Sequence, residues 1–261
     1  LLAGLLVAAI LALRSGPHRL RITRRQLVGC TVLGLLLPVL GNGLVSVGEA
    51  EGAPSGVTAL LVAVAPLMIT VFRFASGDRP HRLSVVGVVL GLAGLGYLVL
   101  AGHQGTADEH IPFAAALIVF FASTCWAFGS WVQPRLPLPG DAFVMTVYEM
   151  VTGGVVLLVA GFVRGERAHP GDYSAQAWLA WGYLVVFGAM IAFSAYVWLL
   201  GNAPIALVAT YAYVNPVVAV ILGALILGEP ITAAIAIGGV VIVIAVAIVI
   251  SVERVRTPQT D

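Results

Sequence analysis

Apolar residues fill stretches long enough to cross a bilayer, and short polar or Gly/Pro-bearing segments separate them. The runs lie near Leu27 to Val47, Val57 to Phe74, Leu83 to Ala101, Ile111 to Trp131, Phe143 to Val163, Ala177 to Leu200, Ile205 to Leu227 and Ala233 to Ser251. At about 1.5 Å of rise per residue, some twenty residues span a hydrocarbon core of roughly 30 Å. Lipid offers no water to a bare backbone, so each run is predicted to be a helix that pairs its own N–H and C=O groups. Strands of a membrane barrel would alternate polar and apolar positions, and these runs do not. A ninth run, Leu1 to Leu13, covers only about 20 Å as a helix. No basic stretch precedes it and Arg14 follows it, so it reads as the end of a longer, cut helix rather than a signal segment. The pattern predicts an all-α integral membrane protein with about nine transmembrane helices.

Composition agrees: hydrophobic residues make up 60% of the 261 and charged residues 10%, with a mean hydropathy of +1.04. Soluble domains run near half apolar and a quarter charged. The net charge of +1 says little; where the charges fall says more. There is no lysine, and the arginines divide between the two sides of the predicted membrane. One side receives Arg14, Arg19, Arg21, Arg24, Arg25, Arg73, Arg79, Arg82, Arg135, Arg254 and Arg256; the other receives Arg164 and Arg167. Basic residues accumulate in cytoplasmic loops, so the first side, and with it the C-terminal tail 252–261, is expected inside. Glu49, Glu51, Asp108, Glu109, Glu166 and Asp172 fall on the outer side. All-Arg usage with abundant Ala, Gly and Val fits a high-GC bacterial genome, which points to a bacterial plasma membrane. Cys30 and Cys125 lie in apolar runs and read as small core residues.

Residues recur at an offset of 150. Ala53-Pro54 matches Ala203-Pro204, Pro66 matches Pro216, Pro80 matches Pro230, Gln26 matches Gln176 and Gly4 matches Gly154. Gly77-Asp78-Arg79-Pro80 lies against Leu227-Gly228-Glu229-Pro230. The unit is five helices, an odd number, so the second copy enters the membrane from the opposite side: an inverted repeat of two five-helix units, frequent among secondary transporters. The expected division is a first repeat over 1–101 that lacks its opening helix, a second over 111–251, and the tail. The parent would have ten helices.

With those pieces in place, the sequence resembles the EamA-type transporters of the drug/metabolite transporter superfamily. The likeness is carried by Ala203-Pro204 through Asn215-Pro216, the turn Leu227-Gly228-Glu229-Pro230, Gly238 and Gly239 in the last helix, and Cys125-Trp126-Ala127-Phe128-Gly129-Ser130 followed by Arg135. Asp78-Arg79-Pro80 departs from the usual Gly-Glu-Pro turn. The resemblance implies a ten-helix transporter of small metabolites, amino acids or drug-like compounds, often an exporter, working by alternating access. The substrate stays open. The alternative is a membrane scaffold or inactive truncated paralogue that keeps the fold without turnover.

Transporter sites sit where helices break at matching points of the two halves. Pro66 and Pro216 are predicted helix kinks, each freeing the carbonyl four residues back, at Val62 and Ala212. Each is either a ligand-facing break or a packing kink. Around this point the second half holds Tyr211, Tyr213 and Asn215 where the first has Leu61, Ala63 and Ala65. Tyr211 and Asn215 share a helix face, suited either to a solute or to a neighbouring helix. Pro38, Gly41, Asn42 and Gly43 interrupt another helix, with Ser46 one turn from Asn42, and the partner stretch carries Ser194 and Tyr196. Trp126 and Tyr148 are candidate aromatic walls. Glu149 lies about two turns inside its run, where an ionisable residue is expensive. It is expected to carry a proton that drives exchange, to pair with a cationic substrate, or to form a structural ion pair. Its offset mate falls just before Leu1, where members of the resembled family often carry Arg. Glu229 is expected to cap the helix that follows it, and Gly87, Gly91, Gly94 and Gly96 to permit close helix packing.

Enzyme readings find no footing. There is no His-Glu-x-x-His, Gly-x-Ser-x-Gly or phosphate-binding Gly-rich loop. His18, His81, His103, His110 and His169 fall in loops, so no metal site or cofactor is expected. No basic stripe suits nucleic acid; the arginines from Arg14 to Arg25 are explained by orientation, with anionic lipid as a neighbour. The expected partners are a small solute, the bilayer and a coupling proton. The oligomeric state is not legible.

Overall fold

The computed structural model describes residues 1–79, 81–103, 111–166, 171, 173–208 and 211–256; at 102, 103, 206, 207, 212, 213 and 253–256 it describes the backbone alone. Pro80, Asp108, Glu109, His110, Arg167, His169 and Asp172, and the side chains of His103, Tyr213, Arg254 and Arg256, therefore lie outside the described residues. Every predicted run is helical. The elements are α1 (Leu2–Ser15), α2 (Arg24–Gly34), α3 (Leu44–Ala50), α4 (Ser55–Val62), α5 (Ala65–Ala75), α6 (Arg82–His103), α7 (Phe113–Val132), α8 (Ala142–Val163), α9 (Ala175–Tyr183), α10 (Ser194–Asn202), α11 (Ile205–Val208), α12 (Tyr211–Leu222) and α13 (Ala233–Arg256). Among the described residues, seven helical stretches are long and apolar enough to cross a membrane, and Leu2–Ser15 and Val214–Leu227 are shorter apolar helices. The chain is an all-α integral membrane protein.

Two long spans carry a π-helical stretch at their centre. Leu35–Gly43 joins α2 to α3, and Leu184–Phe193 joins α9 to α10. A π register pairs each carbonyl with the N–H five residues on, which steps past the N–H that Pro38 lacks. The second stretch contains no proline, and Gly188 stands at the offset position of Pro38. The helix distortion predicted from Pro38 is thus common to both halves and does not depend on the proline. The predicted continuous helix Val57 to Phe74 is instead two: α4 ends at Val62, and Pro66 sits in the first turn of α5. The first turn of a helix has no intrahelical use for the N–H that proline lacks, so a break is easier there than a kink. Pro216, by contrast, lies inside α12.

The chain forms two compact units that each draw on both halves of the sequence. The first comprises Leu1–Val39 and Val132–Ala203. Thr23 opens α2 with a capping box: its Oγ1 accepts from the Gln26 N–H at 3.3 Å while the Gln26 side chain accepts from the Thr23 N–H at 2.8 Å. Ser174 caps α9 and Asp141 caps α8. α2 and α8 run parallel at backbone contact. A Cβ on Gly29 would sit 2.6 Å from the Pro137 carbonyl, one on Gly34 would meet Thr152 Oγ1 and lie 2.7 Å from the Glu149 carbonyl, and one on Gly153 would lie 2.7 Å from the Gly34 carbonyl. α1 crosses α8 antiparallel, with Gly4 against Met150 and Val151, and Gly154 against Leu1.

The second unit comprises Leu40–Trp131 and Pro204–Asp261. α6 and α13 are antiparallel: Gly87 faces Val249, Gly91 faces Ala245, Gly94 faces Val241, and Leu98 faces Gly238. Small residues let membrane helices approach closely, and dispersion contacts then hold them. α4 and α12 are also antiparallel, with Gly56 against Val220 and Ser55 near Gly223. Phe72, Phe128 and Trp131 form an aromatic cluster with ring centroids 5.4 to 6.0 Å apart.

The Gly34 contact generates a prediction. Because its neighbours include backbone, Gly34→Ala is expected to destabilise by about 1–3 kcal/mol. Gly96→Ala, whose Cβ would meet nothing within 4 Å, is expected to leave stability unchanged. Thermal unfolding in detergent compares the two; equal midpoints would mean that α2 and α8 are not held at this separation.

Candidate functional site

The buried side-chain oxygens of the first unit centre on α8. Glu149 has no exposed surface, and neither carboxyl oxygen has a hydrogen-bond partner. Gly34 and Gly153 bring α2, which also carries the buried Cys30, against this part of α8. The Tyr148 hydroxyl donates to the Leu20 carbonyl at 2.6 Å, so it ties α8 to the 3-10 turn Pro17–Leu20. Thr152 Oγ1 donates to the Tyr148 carbonyl at 2.7 Å. The structural ion-pair role expected for Glu149 finds no partner among the described residues. Tyr196 lies half-buried on α10, which packs on α8.

At the foot of α8, Asp141 accepts from the Phe143 N–H at 3.0 Å and from Arg19 Nε at 2.6 Å. Burial opposes its charged form, but the Arg19 and Phe143 hydrogen bonds, with the Arg19 charge, hold its carboxyl below the usual value of 3.8. Stability from a carboxylate depressed in this way is fully present above the unfolded value and lost as pH falls through the folded one. Both side chains are about a third exposed, at 37% and 30%, which limits the pair to about 1 kcal/mol or less.

In the second unit, Asn42 and Ser46 are exposed on one helix face, and Ser46 Oγ donates to the Asn42 carbonyl at 3.3 Å. Trp126 and Tyr211 are half-buried and Asn215 is exposed. Their first-half counterparts differ: Leu61, Ala63 and Ala65 are all buried. The polar copy of the break therefore lies on an open face and the apolar copy in a core. The carbonyl freed at Val62 has a partner, Ser123 Oγ, at 3.2 Å. That makes the Pro66 break a packed feature of this unit.

Glu229 does not cap the helix that follows it. Its carboxylate accepts from the Ser55 N–H at 2.8 Å, Ser55 Oγ at 2.9 Å and the Gly56 N–H at 3.1 Å, all at the start of α4. Thr232 Oγ1 accepts from the Ile235 N–H at the start of α13 instead. Gly228, at φ 68°, turns the chain back toward α4, and a Cβ on Gly223 would sit 2.5 Å from the Glu229 carboxylate. Ser55, Ser123 and Gln133 were not singled out from the sequence. A hydroxyl just after Ala-Pro and an amide at the end of an apolar run were the available signals.

A multi-pass helical membrane protein with a carboxyl enclosed in its spans fits a membrane transporter, and comparison with known proteins shows that class. Residues 113–251 match the EamA-like transporter family. The chain is 41% identical over 231 residues to the uncharacterized inner membrane transporter YedA of Escherichia coli, covering 88% of this chain and 72% of YedA. It is 26% identical over 255 residues to the uncharacterized transporter YvbV of Bacillus subtilis, covering 95% and 79%. A solved crystal structure shares the fold at TM-score 0.63 and 23% identity, over 98% of this chain and 86% of the other. The chain belongs to the EamA-like transporter family of the drug/metabolite transporter superfamily. It is a multi-pass transporter of the inner membrane, and the family points away from an enzyme.

Two predictions concern the ties described above. Glu229→Ala, which orphans two N–H groups, is expected to cost about 1–3 kcal/mol, and Ser55→Ala about 1 kcal/mol. The double variant is expected to cost clearly less than the two singles combined; additive losses in thermal unfolding would refute the clamp. Asp141→Asn is expected to lower the unfolding midpoint slightly at pH 7. That difference should vanish on acidification below the ordinary Asp range, and a difference that persists there would exclude the pair.

Proposed function

We propose that the protein is a secondary transporter that exchanges a small solute for protons by alternating access, with Glu149 as the proton carrier. The observation that carries this is the enclosed carboxyl without a partner. An ionised carboxylate left unpaired in a low-dielectric interior costs several kcal/mol, so Glu149 holds a proton while enclosed and releases it when water reaches it. Ionisable groups at such depth belong to solute or proton pathways.

The inverted repeat supports the same reading. The pairs α1 with α8 and α6 with α13 join offset counterparts, and each pair packs antiparallel. Antiparallel contact is what an in-plane two-fold axis requires of helices that lie on it. Two of the three π-helical stretches among the described residues, Leu35–Gly43 and Leu184–Phe193, sit at the same offset. The exposed Asn42, Ser46 and Asn215, with the half-buried Tyr211, are the solute contacts of this reading. Export is the direction that the family resemblance suggests, and the arginine distribution puts the C-terminus inside.

The test is flux in proteoliposomes with and without a pH gradient. Wild type is expected to show saturable, gradient-driven flux, and Glu149→Gln to lose the gradient dependence while keeping solute counterflow. Glu149→Gln flux that follows pH as wild type does would refute the proton-carrier role.

A further inference from the structure

Five of the 13 basic residues, all arginine, fall between Arg14 and Arg25, and all five side chains are exposed. Orientation in the membrane accounts for basic residues on this side. It does not require that they be held in one shape, and here they are. Gly16, at φ 83°, ends α1, the 3-10 turn Pro17–Leu20 follows, and the capping box of Thr23 opens α2. Three hydrogen bonds tie this connection to α8 and to the segment before it. Arg19 Nε donates to Asp141 at 2.6 Å, the Tyr148 hydroxyl donates to the Leu20 carbonyl at 2.6 Å, and Gln26 Nε2 donates to the Leu138 carbonyl at 3.4 Å.

The apolar residues of the connection decide where its arginines point. Leu20 and Ile22 pack against the cluster of Val7, Leu11, Val144 and Val147. The backbone at Arg21 is extended, and successive side chains of an extended chain take opposite sides. Packing Leu20 and Ile22 therefore turns Arg21 outward. Arg24 and Arg25 follow in the first turn of α2. Asp141, the carboxylate that this connection meets, is engaged by Arg19, so Arg21, Arg24 and Arg25 keep their charge for something else.

α2 adds a second chemistry to the patch. Leu27 and Val28 come three and four residues after Arg24 and share its face. They are 41% and 63% exposed, and Leu35, two turns beyond Val28, continues the lane at 37%. The guanidinium groups thus stand at the end of an apolar lane on a membrane-crossing helix.

We propose that this connection is a binding site for an anionic phospholipid. Arg21, Arg24 and Arg25 hold the headgroup phosphate, and Leu27, Val28 and Leu35 carry the upper part of an acyl chain. Arginine presents a planar fork of donors that matches phosphate oxygens two at a time. Three cations within five residues select a headgroup of net negative charge, because a zwitterionic one brings its own cation into the same field. The lane commits the site to a lipid: a free phosphate would use the arginines and leave the apolar half of the surface without a role. The site is independent of which solute crosses the membrane and of what drives it.

The test uses the purified, delipidated full chain in a neutral detergent. The probes are dioleoylphosphatidylglycerol, dioleoylphosphatidylcholine and glycerol 3-phosphate. Native mass spectrometry reads the lipid retained per protein, and thermal unfolding reads its effect on stability. Saturable retention of phosphatidylglycerol with a raised unfolding midpoint is expected. Phosphatidylcholine should be retained at least about tenfold more weakly, and glycerol 3-phosphate at the same concentration should not displace phosphatidylglycerol. An arginine beside an anionic lipid surface contributes about fivefold in affinity. Arg21→Ala, Arg24→Ala and Arg25→Ala should each weaken retention by about that factor, and the triple variant by about a hundredfold. Arg82→Ala, at an exposed position that opens α6 in the second unit, should leave retention unchanged. The single variants carry the test if the triple variant does not fold. The inference is overturned by equal retention of the two lipids, by no retention of phosphatidylglycerol, or by glycerol 3-phosphate that competes as well as the lipid. Single variants that retain phosphatidylglycerol as wild type does also overturn it. So does an Arg82→Ala loss as large as that of Arg24→Ala, which would mark surface charge without a site.

Discussion

Backbone polar groups in hydrocarbon must find partners inside the protein, and most departures from a regular helix in this fold can be traced to how that demand is met. At Leu35–Gly43 and Leu184–Phe193 the chain widens into a π register. At Val62, where α4 stops, a serine from α7 supplies the missing donor. At the start of α4, where no helical carbonyl is available, the carboxylate of Glu229 accepts from the first two N–H groups.

The same constraint makes Glu149 stand apart. Ser55, Ser123, Thr152 and Tyr148 are buried or half-buried polar groups with a partner at hydrogen-bond distance. Glu149, on α8 of the first unit, has none among the described residues. Close glycine packing is what encloses the group: with side chains at Gly34 or Gly153, α2 would stand away from α8 and admit water or lipid.

The two halves use equivalent positions differently. The apolar break at Leu61, Ala63 and Ala65 is packed into a core, while Asn215, with Val214 beside it at 59% exposure, lies open. The turn at 228–230 carries a carboxylate that ties down α4, and its counterpart carries Arg79 and an Asp78 paired to Arg73 at 2.6 Å.

Helix type and approximate limits were legible in the sequence because a spanning segment must be apolar along its whole length, and that is a local property. The family was legible for a related reason: the proline and glycine positions that mark helix ends are also local. The depth of Glu149 could be counted from the end of its run. Its isolation could not, since that depends on what α2 and α10 bring to it from more than a hundred residues and some forty residues away. Glu229 was read as the cap of the next helix in sequence because local rules know no other helix; folding placed the first turn of α4 nearer. Pro66 announced a break, but only packing decided that Ser123 would fill it. Polar satisfaction is settled by which helices meet, and the tertiary structure alone fixes that.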